Sequence, residues 1–211
     1  MLIDTADIVV PEQTSEDFFG GWSIKRLDNS ESQPKSIVHR RLGTTLLAHT
    51  SCGLVEKKRI TSPANCFSFM LVENYKQRGQ WDYDHLPACT LFCLPPKHNF
   101  DFQIGRNAKL YGFSFDVDGW VGSLAAKVCE GLAEGRARIV EIESQMMSLL
   151  ITLYQRATPS TAWTAQELEA WQHSVISSLS LAVNHGRCLP WPNLLKEFEA
   201  QPLMQRLLYS A

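Results

Sequence analysis

Between Trp22 and Phe115 the sequence runs in short apolar stretches separated by turn residues, with no stretch of helical spacing among them. The stretches are Ile24–Leu27, Ser36–Leu42, Thr45–Ser51, Leu54–Ile60, Cys66–Val72, Cys89–Leu94, Phe100–Ile104 and Leu110–Asp116. Several alternate with period two. Phe67, Phe69 and Leu71 share a side against Ser68; Phe100, Phe102 and Ile104 oppose Asp101 and Gln103; Tyr111, Phe113 and Phe115 oppose Ser114 and Asp116. Alternation in consecutive short strands predicts an antiparallel sheet with one buried face, and about eight such strands without an intervening helix favour a closed barrel or jelly roll.

From Val117 the spacing becomes helical. Ile139, Ile142, Met146, Leu149 or Leu150, and Leu153 mark one stripe, which predicts a helix of about twenty residues ending before Pro159. The next helix opens on Thr164-Ala-Gln-Glu167, a capping box whose two side chains satisfy backbone donors reciprocally. Its stripe is Leu168, Trp171, Val175, Leu179 and Ala182, and Gly186 suits its C-terminal cap. A short helix or turn is expected over Glu12–Phe19, and a last helical piece over Leu203–Leu208. The fold class is therefore α+β: a cupin-like or jelly-roll β-barrel over 1–116, then an antiparallel α-helical appendage over 117–200.

Composition narrows the function classes. A formal net charge of −2 and the absence of any Lys or Arg between Arg156 and Arg187 leave the best-patterned helix without cations for phosphates. No run is long and apolar enough for a membrane span, and the first residues carry acids rather than a basic flank, so no secretory signal is read there. The six cysteines then read as reduced thiols, and the cytoplasm is the expected compartment.

No nucleophile elbow, phosphate-binding loop, dinucleotide glycine fingerprint or zinc-protease histidine pair occurs. Cupin enzymes hold their metal with a His-x-His pair, and among His39, His49, His85, His98, His173 and His185 no two are two residues apart. No catalytic residue, metal or cofactor is expected. Cys89 and Cys93 share a strand face but stand about 13 Å apart at ~3.4 Å per residue, too far to share a zinc ion, and read as small apolar wall residues. The aromatic residues of the strand half are first of all core. A ligand pocket in a barrel mouth would draw on the same residues, with a few polar groups for orientation. Phe69, Trp81, Asp84, His85, Phe92, His98 and Tyr111 are the candidates for effector binding. Leu168, Trp171, Val175 and Leu179 are the candidates for a homodimer contact, against the alternative that they pack on the barrel.

Four stretches carry a family resemblance: Arg41-Leu-Gly-Thr-Thr-Leu-Leu-Ala-His-Thr-Ser-Cys-Gly-Leu-Val, Pro63-Ala-Asn-Cys-Phe-Ser-Phe-Met-Leu-Val, Leu94-Pro-Pro-Lys-His-Asn-Phe-Asp-Phe and Leu110-Tyr-Gly-Phe-Ser-Phe-Asp-Val. With the helix pair and Leu203-Met-Gln-Arg-Leu-Leu, they resemble the N-terminal sensor half of AraC-type transcription regulators, the ethanolamine-operon regulators among them. The resemblance implies a domain that binds a small-molecule effector and dimerises. It also implies that 201–211 begin the linker to a DNA-binding helix-turn-helix domain absent from this chain. The alternatives are a cupin-type metal-dependent isomerase or dioxygenase and a dimerisation module that binds no ligand.

Overall fold

The computed structural model describes residues 2–3, 7–11, 22–26, 36–51, 56–73, 87–104, 107–157 and 162–189. The expected helical pieces at Glu12–Phe19 and Leu203–Leu208 lie outside them.

The strand half follows the sequence reading closely. Its strands are β1 (Leu2–Ile3), β2 (Asp7–Pro11), β3 (Ser23–Arg26), β4 (Ser36–Leu42), β5 (Thr45–Ser51), β6 (Glu56–Thr61), β7 (Cys66–Glu73), β8 (Cys89–Leu94), β9 (Asn99–Ile104) and β10 (Lys109–Asp116). The later half holds α1 (Trp120–Val128), β11 (Arg138–Glu141), α2 (Ser144–Arg156), β12 (Trp163–Thr164), α3 (Ala165–His185) and β13 (Arg187–Leu189). An eight-stranded sheet runs β13-β11-β8-β7-β10-β5-β4-β2 and a three-stranded sheet runs β3-β6-β9, every pairing antiparallel. The chain crosses from the large sheet to the small one three times, between β2 and β3, between β5 and β6 and between β8 and β9. It returns after β3, after β6 and after β9.

The large sheet is buried on both faces, not on one as the alternation suggested. Phe67, Phe69, Leu71, Leu91, Cys93, Tyr111, Phe113 and Phe115 pack with residues of the three helices. The intervening Met70, Val72, Phe92, Leu94 and Leu110 pack with Ile60 and Phe100 of the small sheet. A strand covered on both faces shows an almost unbroken apolar run, and Cys66–Val72 is one. The order is therefore small sheet, large sheet, helices. Among the described residues no ladder joins the two sheets into a closed barrel.

The stretch from Ile139 is not one helix. Residues 138–141 form β11, which pairs with β8 and extends the large sheet, and the helix begins only at Ser144. The helical spacing of Ile139 and Ile142 with the later residues was accidental. Ile139 lies in the inter-sheet core, while α2 buries Met147, Leu150 and Tyr154 and leaves Leu149 exposed. With β13 also in the sheet, the segment expected as a separate appendage supplies two of its strands.

Three hydrogen bonds, two of them fully buried, fix the helical layer. Gln172 Nε2 of α3 donates to Thr45 Oγ1 of β5 at 2.8 Å. Trp171 Nε1 donates to the Leu153 carbonyl of α2 at 2.9 Å. Arg40 of β4 donates to the Ala157 carbonyl at 3.1 Å, placing a cation at the C-terminal end of α2, where the helix dipole favours one.

Candidate functional site

Cross-strand partners share a face. The ladder pairs His39 with Ala48, Ala48 with Gly112, Gly112 with Met70, and Met70 with Phe92. These residues form one row on the inter-sheet side of the large sheet, and its middle is built from two small residues. Trp22, just before β3, fills that gap: a Cβ at Gly112 would lie 2.9 Å from Trp22 Nε1 and 3.0 Å from Cε2. Only glycine lets the indole approach this closely. Thr50 and Leu110 pair in the neighbouring row.

Trp22, Ala48, His49, Thr50, Met70, Leu110 and Gly112 line a small cavity of about 10 Å³, the room a single water needs. The wall that faces this cavity is apolar, yet two of its residues bury a polar atom without a hydrogen-bond partner, Trp22 Nε1 and Thr50 Oγ1, and so does His39 at Nε2 beside Ala48. An unsatisfied buried polar group costs about 1–3 kcal/mol, so three on one sheet face is a substantial local debt. Burial pushes His39 down to about 4, which keeps the imidazole neutral and its ring nitrogens usable as one donor and one acceptor. The other two groups are a donor-only indole N–H and a hydroxyl that does both.

The opposite face of the same strands touches the helices. His49, between Ala48 and Thr50 on β5, lies 4.9 Å from the Tyr111 ring and 6.3 Å from that of Tyr154 on α2. Tyr111 meets Tyr154 edge-on at 5.2 Å. Burial, and then the charge of Lys109, hold His49 below its ordinary range. His49 and Tyr111 thus connect the strands that line the cavity to α2.

The described residues among those expected to bind an effector are not brought together. Phe69 and Tyr111 face the helices, while Phe92 faces the small sheet, stacked on Phe100 at 5.0 Å with His98 at 6.3 Å from Phe100. One pocket cannot use both sides of a sheet. Trp81, Asp84 and His85 lie outside the described residues. The stripe expected at a dimer contact is also committed elsewhere. Leu168, Trp171, Val175 and Leu179 are buried within the chain's own core, so they offer no surface to a partner.

Of the cavity residues, Gly112 had a readable signal: a glycine inside an otherwise regular aromatic strand marks a close approach by another group. Trp22 and Thr50 had none, because their meeting depends on how the two sheets face each other. Among the described residues no three His, Cys, Asp or Glu side chains are grouped as a metal site requires. No described helix is long and apolar enough to cross a membrane. No family model, curated protein or solved structure matches the chain.

Proposed function

We propose that this chain is a small-molecule sensor domain of jelly-roll type, equivalent to the sensing and dimerising half of an AraC-type transcription regulator. The observation that carries the reading is the small apolar gap between the sheets, beside which Trp22 Nε1 and Thr50 Oγ1 are buried without partners. In this reading a ligand that displaces Trp22 uncovers both, and its oxygen accepts from the indole and bonds the hydroxyl.

The cavity fits about one water, so a larger effector must lift Trp22 off Gly112. That gives the domain two arrangements with different ligand affinity, which is what a switch requires. The readout runs through β5 and β10 to Tyr154 of α2. Self-association in this reading uses the outward side of the helical layer, where Trp120, Leu149 and Leu181 are 47%, 44% and 48% exposed. DNA recognition falls to helix-turn-helix units beyond these residues.

The test is calorimetry with a panel of short alcohols, amides and carboxylates. At least one class is expected to raise the melting temperature and to bind Thr50→Val about fivefold more weakly, the worth of one hydrogen bond. A panel without any binder, or a binder indifferent to Thr50→Val, sinks the reading.

A further inference from the structure

Two rows of the small sheet set cation against cation, one on each face. The ladder places Ile24 opposite Ile60 and Ile60 opposite Phe100, and Ile60 and Phe100 are buried in the inter-sheet core. By alternation the row Arg26–Lys58–Phe102 belongs to that same inner face. The row between them, Lys25–Arg59–Asp101, belongs to the outer face. There Arg59 Nε and Nη2 each donate to the Asp101 carboxylate at 2.7 Å. Like charges directly opposite on paired strands repel. The third strand offsets this in the outer row with Asp101, whereas in the inner row it supplies Phe102.

The overlap of the sheets fixes which end of the sandwich the inner pair occupies. Phe100 stacks on Phe92 at 5.0 Å, and the chain doubles back between Leu94 and Asn99, where Ser62 ties Pro95 to His98. From Phe100, β9 therefore runs away from Leu94, and Phe102 falls toward the Thr90 end of β8. Thr90, Val72, Leu110 and Thr50 are the inner row of the large sheet at that end, one residue in from where their strands terminate. The carboxylate of this row, on Glu141 opposite Thr90, accepts from Arg187 Nε at 2.7 Å. Thr90 Oγ1 donates to the Pro87 carbonyl at 3.0 Å, while Thr50 Oγ1 is buried without a partner. Arginine, lysine and an indole N–H only donate, and a threonine hydroxyl can. The end of the sandwich beside the gap thus combines two cations with donors, which suits an acceptor bearing negative charge.

We propose that the effector is a small carboxylate with an apolar body. Arg26 and Lys58 hold its anion with a hydrogen bond from Thr50, and its body takes the place that Trp22 fills over Gly112. This rests on the sensor reading and narrows it, since an apolar gap alone admits alcohols and amides as well. A carboxylate accepts at both oxygens and donates at neither, and its charge relieves the repulsion within the inner row.

The experiment titrates the full chain by calorimetry with butyrate, butyramide and butanol, probes of one length that differ in the polar end. Butyrate is expected to bind about tenfold more tightly than the other two, because hydrogen bonds to a charged group are the stronger ones, and to weaken as sodium chloride is raised. Arg26→Gln and Lys58→Gln each weaken butyrate about tenfold and leave butyramide as it was. Lys25→Gln, on the outer face, changes neither. Butyramide or butanol binding as tightly as butyrate, butyrate binding indifferent to salt, or unchanged butyrate affinity in both inner variants overturns the anion and leaves the sensor reading standing. If none of the three binds, the proposal falls, and the sensor reading falls with it only when the whole panel is silent. The comparison of probes is made on the wild-type chain, so it stands even if a variant folds poorly.

Discussion

Thr50 and His39 each bury a polar atom without a partner, on adjacent strands of one sheet face. Replacing such a group by an apolar one of the same shape removes a desolvation penalty and breaks no bond. Thr50→Val is therefore expected to leave the protein as stable or to stabilise it by about 1 kcal/mol in urea unfolding. A loss of that size would mean the hydroxyl is paired. His39 ties stability to pH. Its folded value of about 4 lies below the ordinary 6.5, so the unfolded chain takes up a proton in that window and the folded chain does not. The contribution is full above 6.5 and is lost as pH falls from there toward 4. Between pH ~7.5 and ~5.5 this amounts to about 1 kcal/mol, and urea midpoints of His39→Phe should show a correspondingly smaller drop. Desolvation lowers His49 and His98 too, and both act in the same direction.

At the scale of elements, α3 shows how much a helix can announce in advance. Glu167 N donates to Thr164 Oγ1 at 3.2 Å and Thr164 N donates to Glu167 Oε2 at 2.9 Å, the reciprocal box its sequence predicts. The helix runs Ala165–His185 and buries Leu168, Trp171, Val175, Leu179 and Ala182 as spaced. Gly186 does end it, but with φ at −75°, so the left-handed region is not what demands glycine. Packing demands it: a Cβ there would lie 2.2 Å from Val140 Cγ1 and 2.6 Å from the Ala182 carbonyl. Gly186→Ala should thus push α3 from β11 and cost about 2 kcal/mol or more. Hydrogen exchange should quicken at the Val140 amide. Thr164→Ala, a cap removed without a clash, should cost about 1 kcal/mol and leave that amide protected. In α2 the element reading failed, because spacing alone cannot distinguish a short strand followed by a helix from one longer helix.

For the whole molecule, the helical layer decides which apolar residues remain outside. Its inner stripe is consumed by the sheet, and Trp120, Leu149 and Leu181 are the large apolar residues left exposed among those described, the ones the proposed self-association would use. Leu181→Asp is expected to shift a dimer toward monomer in light scattering with little change in melting temperature, since residue 181 is 48% exposed in wild type. A wild-type monomer at high concentration would remove the dimer from the reading. The sequence by itself determined the eight strands between Ser23 and Asp116, the α3 helix and its N-cap. Each rests on local chemistry: a period of two or 3.6, turn residues, and a hydroxyl three residues before a carboxylate. Only the tertiary structure decided what covers each side of the large sheet. Alternation says that Phe69 and Met70 point to opposite sides, and both sides turn out to be core. For that reason Phe69 and Tyr111 fall in one core and Phe92 in the other. The gap that Trp22 fills over Gly112, and the hydrogen bond from Arg138 to Cys188, arise from segments far apart in the chain. Periodicity reports the local surroundings of each residue, whereas these sites depend on the way sheets and helices stack.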